Sequence, residues 1–275
     1  MVFWDYDTQW GGDRSRLPGG TKEWGRLEFE NTDRLLELHA QYGIPASFAV
    51  VGAAALPGER PYHDPDQVRM IHAAGHEVAS HSFRHDWLPG LGREELLDTL
   101  RRSKQALEEC IGAQVVSFVP PYNQPFDYPP RLSISLAERR EAGRRRTGLG
   151  DLCTALGDTG YKFCRVSYRS IGERLRERVT KKARTAPARL EMIRGIQCIR
   201  MNAPGGFNEH AHRVLDHCAK KGGIVVVGGH PHSLHAGNTQ DEHMLVPFLQ
   251  HARDLHRQGL LRLALPRDFI GERSA

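Results

Sequence analysis

Short apolar runs alternate along the chain with longer segments in which apolar residues recur at helical spacing. Met1–Trp4 reads as a first strand. Asn31–Tyr42 follows as a helix, with Leu35, Leu36 and Leu38 on its apolar side and Asn31 or Thr32 as its cap. Pro45–Val51 is a second strand closed by Gly52. Asp64–Ala74 is a helix stopped by Gly75, the residue type that tolerates the left-handed conformation after a helix end. The pattern continues with a strand at His76–Ser80, a long amphipathic helix at Arg93–Ile111 and a strand at Val115–Val119 stopped by Pro120 and Pro121. A helix near Asp151–Thr159 and strands at Lys162–Val166 and Gln197–Met201 come next. The series ends with a helix at Glu209–Lys221, an apolar strand at Gly223–Val227, a helix at Asp241–Arg257 and a strand at Leu260–Ala264. Strands alternating with helices predict a parallel sheet with crossover helices, an α/β fold. Seven or eight such units predict a barrel rather than an open sheet. Asp127–Gly150 and Arg169–Gly195 break the rhythm; they are polar and basic, and read as insertions on one rim of a single domain spanning residues 1–275.

Composition narrows the picture. With 275 residues, 39% of them hydrophobic, the chain can build a proper core, yet no stretch approaches the roughly 20 apolar residues of a membrane span. Because MVFWD already reads as a core strand, leaving no room for a signal segment, a cytoplasmic protein is expected. The five cysteines are odd in number and include no C-x-x-C pair, which argues for buried thiols rather than a disulfide framework or zinc knuckle. The net charge of +5 is concentrated in Arg139, Arg140, Arg144, Arg145 and Arg146, and in a run from Arg165 to Arg189. Such runs attract phosphates or simply form a solvated helix face. No nucleic-acid motif accompanies them, so no nucleic-acid partner is expected. The oligomeric state is not legible.

The chemistry-bearing residues fall at strand exits. Asp5 and Asp7 follow the first strand, His81 and His85 the third, Pro120, Pro121 and Tyr122 the fourth, and His230 and His232 the run Gly223–Val227. In a parallel barrel these exits share one face, where active sites are built. Two histidines four apart can grip one metal from a helix turn, although His72 and His76 have the same spacing in a chain of 15 histidines. A carboxylate from another exit would complete a set of two histidines and one aspartate with open positions. Zinc suits it, as do cobalt, nickel, iron or manganese. Asp5 and Asp7, two apart in an extended strand, point the same way, and two carboxylates in one cavity repel unless neutralised. One binding a metal while the other acts as base resolves the conflict; capping a helix or pairing with Arg14 or Arg16 is the alternative.

The chain resembles the polysaccharide deacetylases, which share the NodB homology domain and form carbohydrate esterase family 4. The resemblance runs from Phe3 to about His232. Phe3-Trp-Asp-Tyr-Asp7 stands where that family has T-F-D-D, and Pro45–Gly52 looks like its second strand. Ala74–His85 closely matches the strand carrying H-[ST]-x-x-H. Phe118-Val-Pro-Pro-Tyr122 resembles F-R-P-P-Y, and Val225–His230 the closing L-x-H. The resemblance implies a distorted (β/α) barrel of about seven strands. It also implies a divalent metal, zinc foremost, on Asp7, His81 and His85; Asp5 as base; His230 as acid; and the Tyr122 backbone N–H at the oxyanion. Trp10, Pro121 and Arg200 are expected to meet the substrate.

The departures are informative. Tyr6 separates the two aspartates, and D-x-D-T with a nearby glycine also looks like the lipid-linked aminoarabinose deformylases. Val119 stands where the family has the arginine that holds its catalytic aspartate; Arg165, Arg169 or Arg200 could replace it. The later D-x-x-x-W motif has no clear match after Tyr161, and His232 competes with His230 for the acid role. The expected activity is metal-assisted removal of an N-acyl group, acetyl foremost, from an amino sugar on a small metabolite or lipid carrier. The rivals are an amidohydrolase for non-sugar C–N bonds and an inactive binding module. Gly11-Gly12 and Gly19-Gly20 flank a segment that could cover the site or merely be a loop.

Overall fold

The computed structural model of the chain describes residues 1–15, 23–125, 146–166, 179 and 187–270. Its sheet follows from strict alternation. In β1 (Val2–Tyr6), Val2, Trp4 and Tyr6 join the apolar layer that packs under the helices, whereas Phe3 joins a separate inner cluster. The same split recurs in β2 (Ser47–Val50), with Phe48 and Val50 outward and Ala49 inward, and in β5 (Phe163–Val166), with Cys164 and Val166 outward and Phe163 inward. A strand with apolar groups on both faces must be covered on both, which is the condition of a barrel wall.

Eight strands form one sheet. Besides those named they are β3 (Glu77–Ser80), β4 (Ser117–Phe118), β6 (Leu190–Ile193), β7 (Ile196–Arg200) and β8 (Val227–Gly229). The order is β6-β7-β5-β4-β3-β2-β1-β8; every neighbouring pair is parallel except β6–β7. The edges then approach each other. Ala203, just past β7, donates its N–H to Val226 O at 3.1 Å, and Ala188 donates to Ile224 O at 2.8 Å. The sheet is therefore curled into a distorted barrel of seven parallel strands and one antiparallel edge strand.

Seven helices cover the outside among the described residues: α1 (Thr8–Ser15), α2 (Trp24–Tyr42), α3 (Pro65–Ala73), α4 (Arg93–Ile111), α5 (Leu149–Asp158), α6 (Glu209–Lys221) and α7 (Glu242–Arg257). Asp64, Asn208 and Asp241 cap α3, α6 and α7 through side-chain oxygens that accept backbone N–H groups, each contributing about 1 kcal/mol. None of the described helices is long and apolar enough to cross a membrane.

Several expectations need correction. The helix expected from Asn31 begins at Trp24, and Asn31 and Thr32 lie inside it rather than capping it. Gly25 disguised its first turn; a Cβ there would lie 2.5 Å from Pro61 O, so glycine is needed for close packing. Leu260–Ala264 is not a strand. The apolar run before it has β1 on one side and the bridges from Ala188 and Ala203 on the other, leaving no edge to join. That run pairs as β8 only from Val227 to Gly229. The end of the expected insertion Arg169–Gly195 forms β6, a hairpin with β7. Arg139, Arg140, Arg144, Arg145, Arg16, Gly19, Gly20 and most of the Arg165–Arg189 run lie outside the described residues. The five cysteines are free thiols, four of them buried.

Candidate metal centre and active site

The inward positions of β1 and β5 carry the chemistry at the barrel's upper end. Beyond Phe3 the next inward residue of β1 is Asp5; beyond Phe163 the next of β5 is Arg165. The two meet as a bidentate pair: Arg165 Nη1 donates to Asp5 Oδ1 at 2.8 Å and Nη2 to Oδ2 at 2.7 Å. The Arg165 side chain is 1% exposed, and its guanidinium lies over the Phe3 ring at 5.1 Å. Of the candidates for the missing arginine, Arg165 is thus the one that holds Asp5. In the register of β4 and β5, Phe118 faces Cys164, so Arg165 stands beside Val119 on the next strand. Burial pushes the Asp5 carboxyl up, but Arg165, with His81 and His230, outweighs it and holds Asp5 below the usual carboxylate range.

Asp7, at the start of α1, lies against His81 and His85. Its Oδ1 is 3.3 Å from His81 Nε2 and 3.6 Å from His85 Nε2, and the ligand atoms all fall within 4.8 Å of one another. All three residues are buried. The His81 ring is oriented by its other nitrogen: Nδ1–H donates to Val119 O at 2.7 Å, leaving the Nε2 lone pair for a cation. Val119 therefore serves the site through its backbone although it lacks the arginine side chain. Asp7 Oδ1 is buried with no hydrogen-bond partner. An unpaired acceptor in so dry a place is costly, and a divalent ion between these three groups would remove the cost. The donor set of two imidazoles and one carboxylate fits zinc and its neighbours. Burial raises the Asp7 carboxyl, but His85 and His81 outweigh it and hold it well below the ordinary range. Burial likewise pushes the His85 imidazole down to about 4.

The two histidines do not sit on a helix. Residues 82–84 form a turn, and Ser82 and His85 have φ of 63° and 56°. Left-handed backbone at non-glycine residues is strained and gathers at functional sites. Six described residues have it, and five of them, Thr8, Ser82, His85, Tyr122 and Asn123, lie in the loops that carry this site. No spacing rule in the sequence reveals such conformations.

The other expected residues are distributed unevenly. Tyr122 packs its ring edge-on against His85 at 4.5 Å and against Trp87 at 5.4 Å. Pro121 is buried at the start of the same turn. His230 Nε2 comes to 4.0 Å from Asp5 Oδ2, and its side chain is 39% exposed. His232 is buried, with Nδ1 3.0 Å from Glu28 Oε2. Trp10 packs on Tyr62, His63 and Arg84. Arg200 pairs with Glu191 across the β6–β7 hairpin at 3.2 Å. The alternative pairing of Asp5 or Asp7 with Arg14 is not adopted; Arg14 donates to Asp86 at 2.9 Å. Glu28 is the residue that sequence reasoning missed, since it carries no motif. Gly11 and Gly12, expected beside a covering segment, lie inside α1, and Gly11 is required by packing, because a Cβ there would lie 2.5 Å from Asp7 Cβ.

Comparison with known proteins agrees with this geometry. The family model for polysaccharide deacetylase matches residues 25–136, which include His81, His85 and Tyr122 but not Asp5, Asp7 or His230. A chitooligosaccharide deacetylase of Sinorhizobium fredii is 32% identical over 92 residues, 33% of this chain; the match spans only 40% of that relative. In fold, the chain is similar to a crystal structure from Mycobacterium smegmatis assigned as a polysaccharide deacetylase, with a TM-score of 0.59 at 16% identity, covering 96% of this chain and 92% of the other. It is also similar to a mutant of a carbohydrate esterase family 4 pseudoenzyme of Bacillus anthracis with restored enzymatic activity, with a TM-score of 0.50 at 15% identity over 94% and 62% of the two chains. The segment 25–136, which carries the histidine pair, is thus similar to the polysaccharide deacetylase family, and the fold of the chain is similar to that of a structure assigned to it.

Proposed function

We propose that the chain hydrolyses the N-acyl group of an amino sugar, acetyl foremost, with one divalent ion held by Asp7, His81 and His85. The observation that carries this reading is the juxtaposition of that buried trio, with its unpartnered Asp7 oxygen, and a second carboxylate fixed by Arg165. When bound, the ion, zinc foremost, supplies a Lewis acid for the acyl carbonyl and makes water acidic enough to attack near neutral pH.

The residues divide the remaining work. Asp5, kept ionised by Arg165, accepts the proton of the attacking water. His230, half-exposed at the cleft and within 4.0 Å of Asp5, donates to the departing nitrogen. The backbone N–H of Tyr122, whose ring packs on His85, is assigned to the developing oxyanion. Trp10, Pro121 and Arg200 are assigned to the substrate. The preferred substrate is a small N-acetylated amino sugar on a phosphate-bearing carrier, soluble or lipid-linked.

A screen for released acetate and formate tests this. The purified protein is supplied with zinc, cobalt, nickel or manganese and offered N-acyl amino sugars, nucleotide sugars, lipid-linked sugars and chitin oligomers. Release of acylate from at least one amino sugar is expected. Turnover confined to cyclic amides, or metal binding without any turnover, would overturn the reading. A phosphate-bearing substrate should show a KM that rises with salt at nearly constant kcat, because exposed charges are screened within about 3 Å at 1 M.

A further inference from the structure

Glu28 is a fully buried carboxyl that the chemistry above does not use. Burying such a group is expensive unless it is partnered. Its side-chain partner is His232 Nδ1, 3.0 Å away and 204 residues along the chain, and the Asp7 backbone also meets it. The His232 ring also lies flat on the Trp24 indole, with centroids 4.1 Å apart and planes 14° from parallel. One residue earlier, the Pro231 carbonyl accepts from Asn31 Nδ2 at 2.8 Å. Trp24, Glu28 and Asn31 stand at i, i+4 and i+7 on α2 and so share one face.

That face therefore holds the turn Pro231–Ser233 in three unlike ways: a stacked ring, a carboxyl–imidazole hydrogen bond and an amide–carbonyl hydrogen bond. The residue leading into the turn is His230. Its imidazole makes no hydrogen bond among the described residues; it stands 5.1 Å from the His232 ring and 4.0 Å from Asp5 Oδ2. Its backbone N–H is fixed by Gln240 Oε1 at 2.6 Å. The place of His230 is thus set by the turn, and the turn is set by α2.

We infer that the Trp24–Glu28–Asn31 face of α2 is a clamp that positions His230 and His232 over the cleft, with Glu28 as a positioning residue acting through His232. The inference rests on the deacylase reading for its effect on rate but not for its geometry. A catalytic group displaced by about 1 Å can cost about 100-fold in rate, so the clamp matters to kcat more than to substrate affinity. The metal trio belongs to other elements, but the Glu28 carboxyl also meets the Asp7 backbone, so Asn31, which bonds only the Pro231 carbonyl of the turn, is the anchor whose loss leaves the trio untouched.

The test compares wild type, Glu28→Gln, Glu28→Ala and Asn31→Ala for kcat, KM, metal per chain and the 15N-imidazole resonances of His230 and His232. Asn31→Ala removes a partly exposed anchor and guards against the case in which a Glu28 variant fails to fold. Glu28→Ala is expected to lower kcat about 100-fold, Glu28→Gln and Asn31→Ala less, with KM within about twofold of wild type throughout and metal content within about twofold in Asn31→Ala. The resonances of both histidines are expected to shift in every variant that folds. Unchanged kcat together with unchanged resonances overturns the clamp, as does a loss of metal in Asn31→Ala that accounts for its loss of rate. If wild type turns over no N-acyl sugar, the deacylase reading falls while shifted resonances still support the clamp.

Discussion

Asp5 and Arg165 are hydrogen-bonded at 2.7 and 2.8 Å although three strands separate β1 from β5 in the sheet. Strands lie about 4.8 Å apart, so in a flat sheet these two would be roughly 19 Å distant. Their contact is made across the barrel interior and requires the curl. The pair is also the means by which this chain dispenses with an arginine at Val119. The guanidinium comes from the neighbouring strand, level with Val119 in register, and reaches Asp5.

Breaking that pair leaves one buried charge without its partner, a loss of about 3–5 kcal/mol. Arg165→Met is expected to lower the unfolding midpoint markedly and to reduce kcat by about 100-fold or more through the disturbed base. The double variant Val119→Arg/Arg165→Val returns a guanidinium from the adjacent strand and is expected to recover a measurable part of both losses. Full stability and rate in Arg165→Met would show that the pair does neither job.

Gly11 packs its Cα against the Asp7 side chain; an added Cβ would lie 2.5 Å from Asp7 Cβ and 3.0 Å from its Cγ. Gly11→Ala must therefore displace the carboxylate, not merely crowd the helix. Metal affinity is expected to fall about 10- to 100-fold, as when the support of a ligand is lost, with a much smaller change in thermal midpoint. Calorimetric titration with zinc measures this; an affinity equal to wild type would refute the steric account.

Much of this is legible in the sequence. The alternation of strands and helices gave the barrel, and α4 and α6 fall at the expected Arg93–Ile111 and Glu209–Lys221. His81, His85 and Asp7 do converge. What stayed hidden depends on non-local geometry. Nothing in sequence order says that Arg165 rather than Arg200 crosses the barrel, because the choice is made by strand register and inward parity. Glu28 reads as one more acid on a charged helix until His232 is laid against it. The expected helix turn at His81–His85 is a strained loop, a conformation that residue spacing alone cannot distinguish from helix.

Two histidines away from the site set an acid limit on stability. His39 donates Nδ1–H to Ile44 O at 2.7 Å and accepts from Trp4 Nε1–H at 2.8 Å, and His76 Nδ1 accepts the Ala46 N–H at 3.0 Å. Each needs a neutral acceptor nitrogen. Burial, helped by His76 in the case of His39 and by Arg267 in the case of His76, lowers His39 to about 3 and His76 to about 4. In the unfolded chain both titrate near 6.5. Below that pH the unfolded state binds more protons, so stability is full above about 6.5 and is lost as pH falls toward 4. Glu77, raised by burial to about 6, works in the opposite sense over a narrower window. The urea midpoint is expected to drop between pH 7 and pH 5, and to drop less in His39→Gln. A midpoint constant over that range would contradict the assignment.

The most direct test is the metal content of the protein after gentle purification, set beside that of a His81→Ala/His85→Ala variant. Asp7, His81 and His85 all offer buried ligand atoms within 4.8 Å of one another. Elemental analysis should find one divalent ion per wild-type chain and none above background in the double variant, while the single variant Asp5→Asn keeps its ion and loses turnover by about 10²–10⁴-fold. Metal retained in the double variant, or lost in Asp5→Asn, would contradict the account.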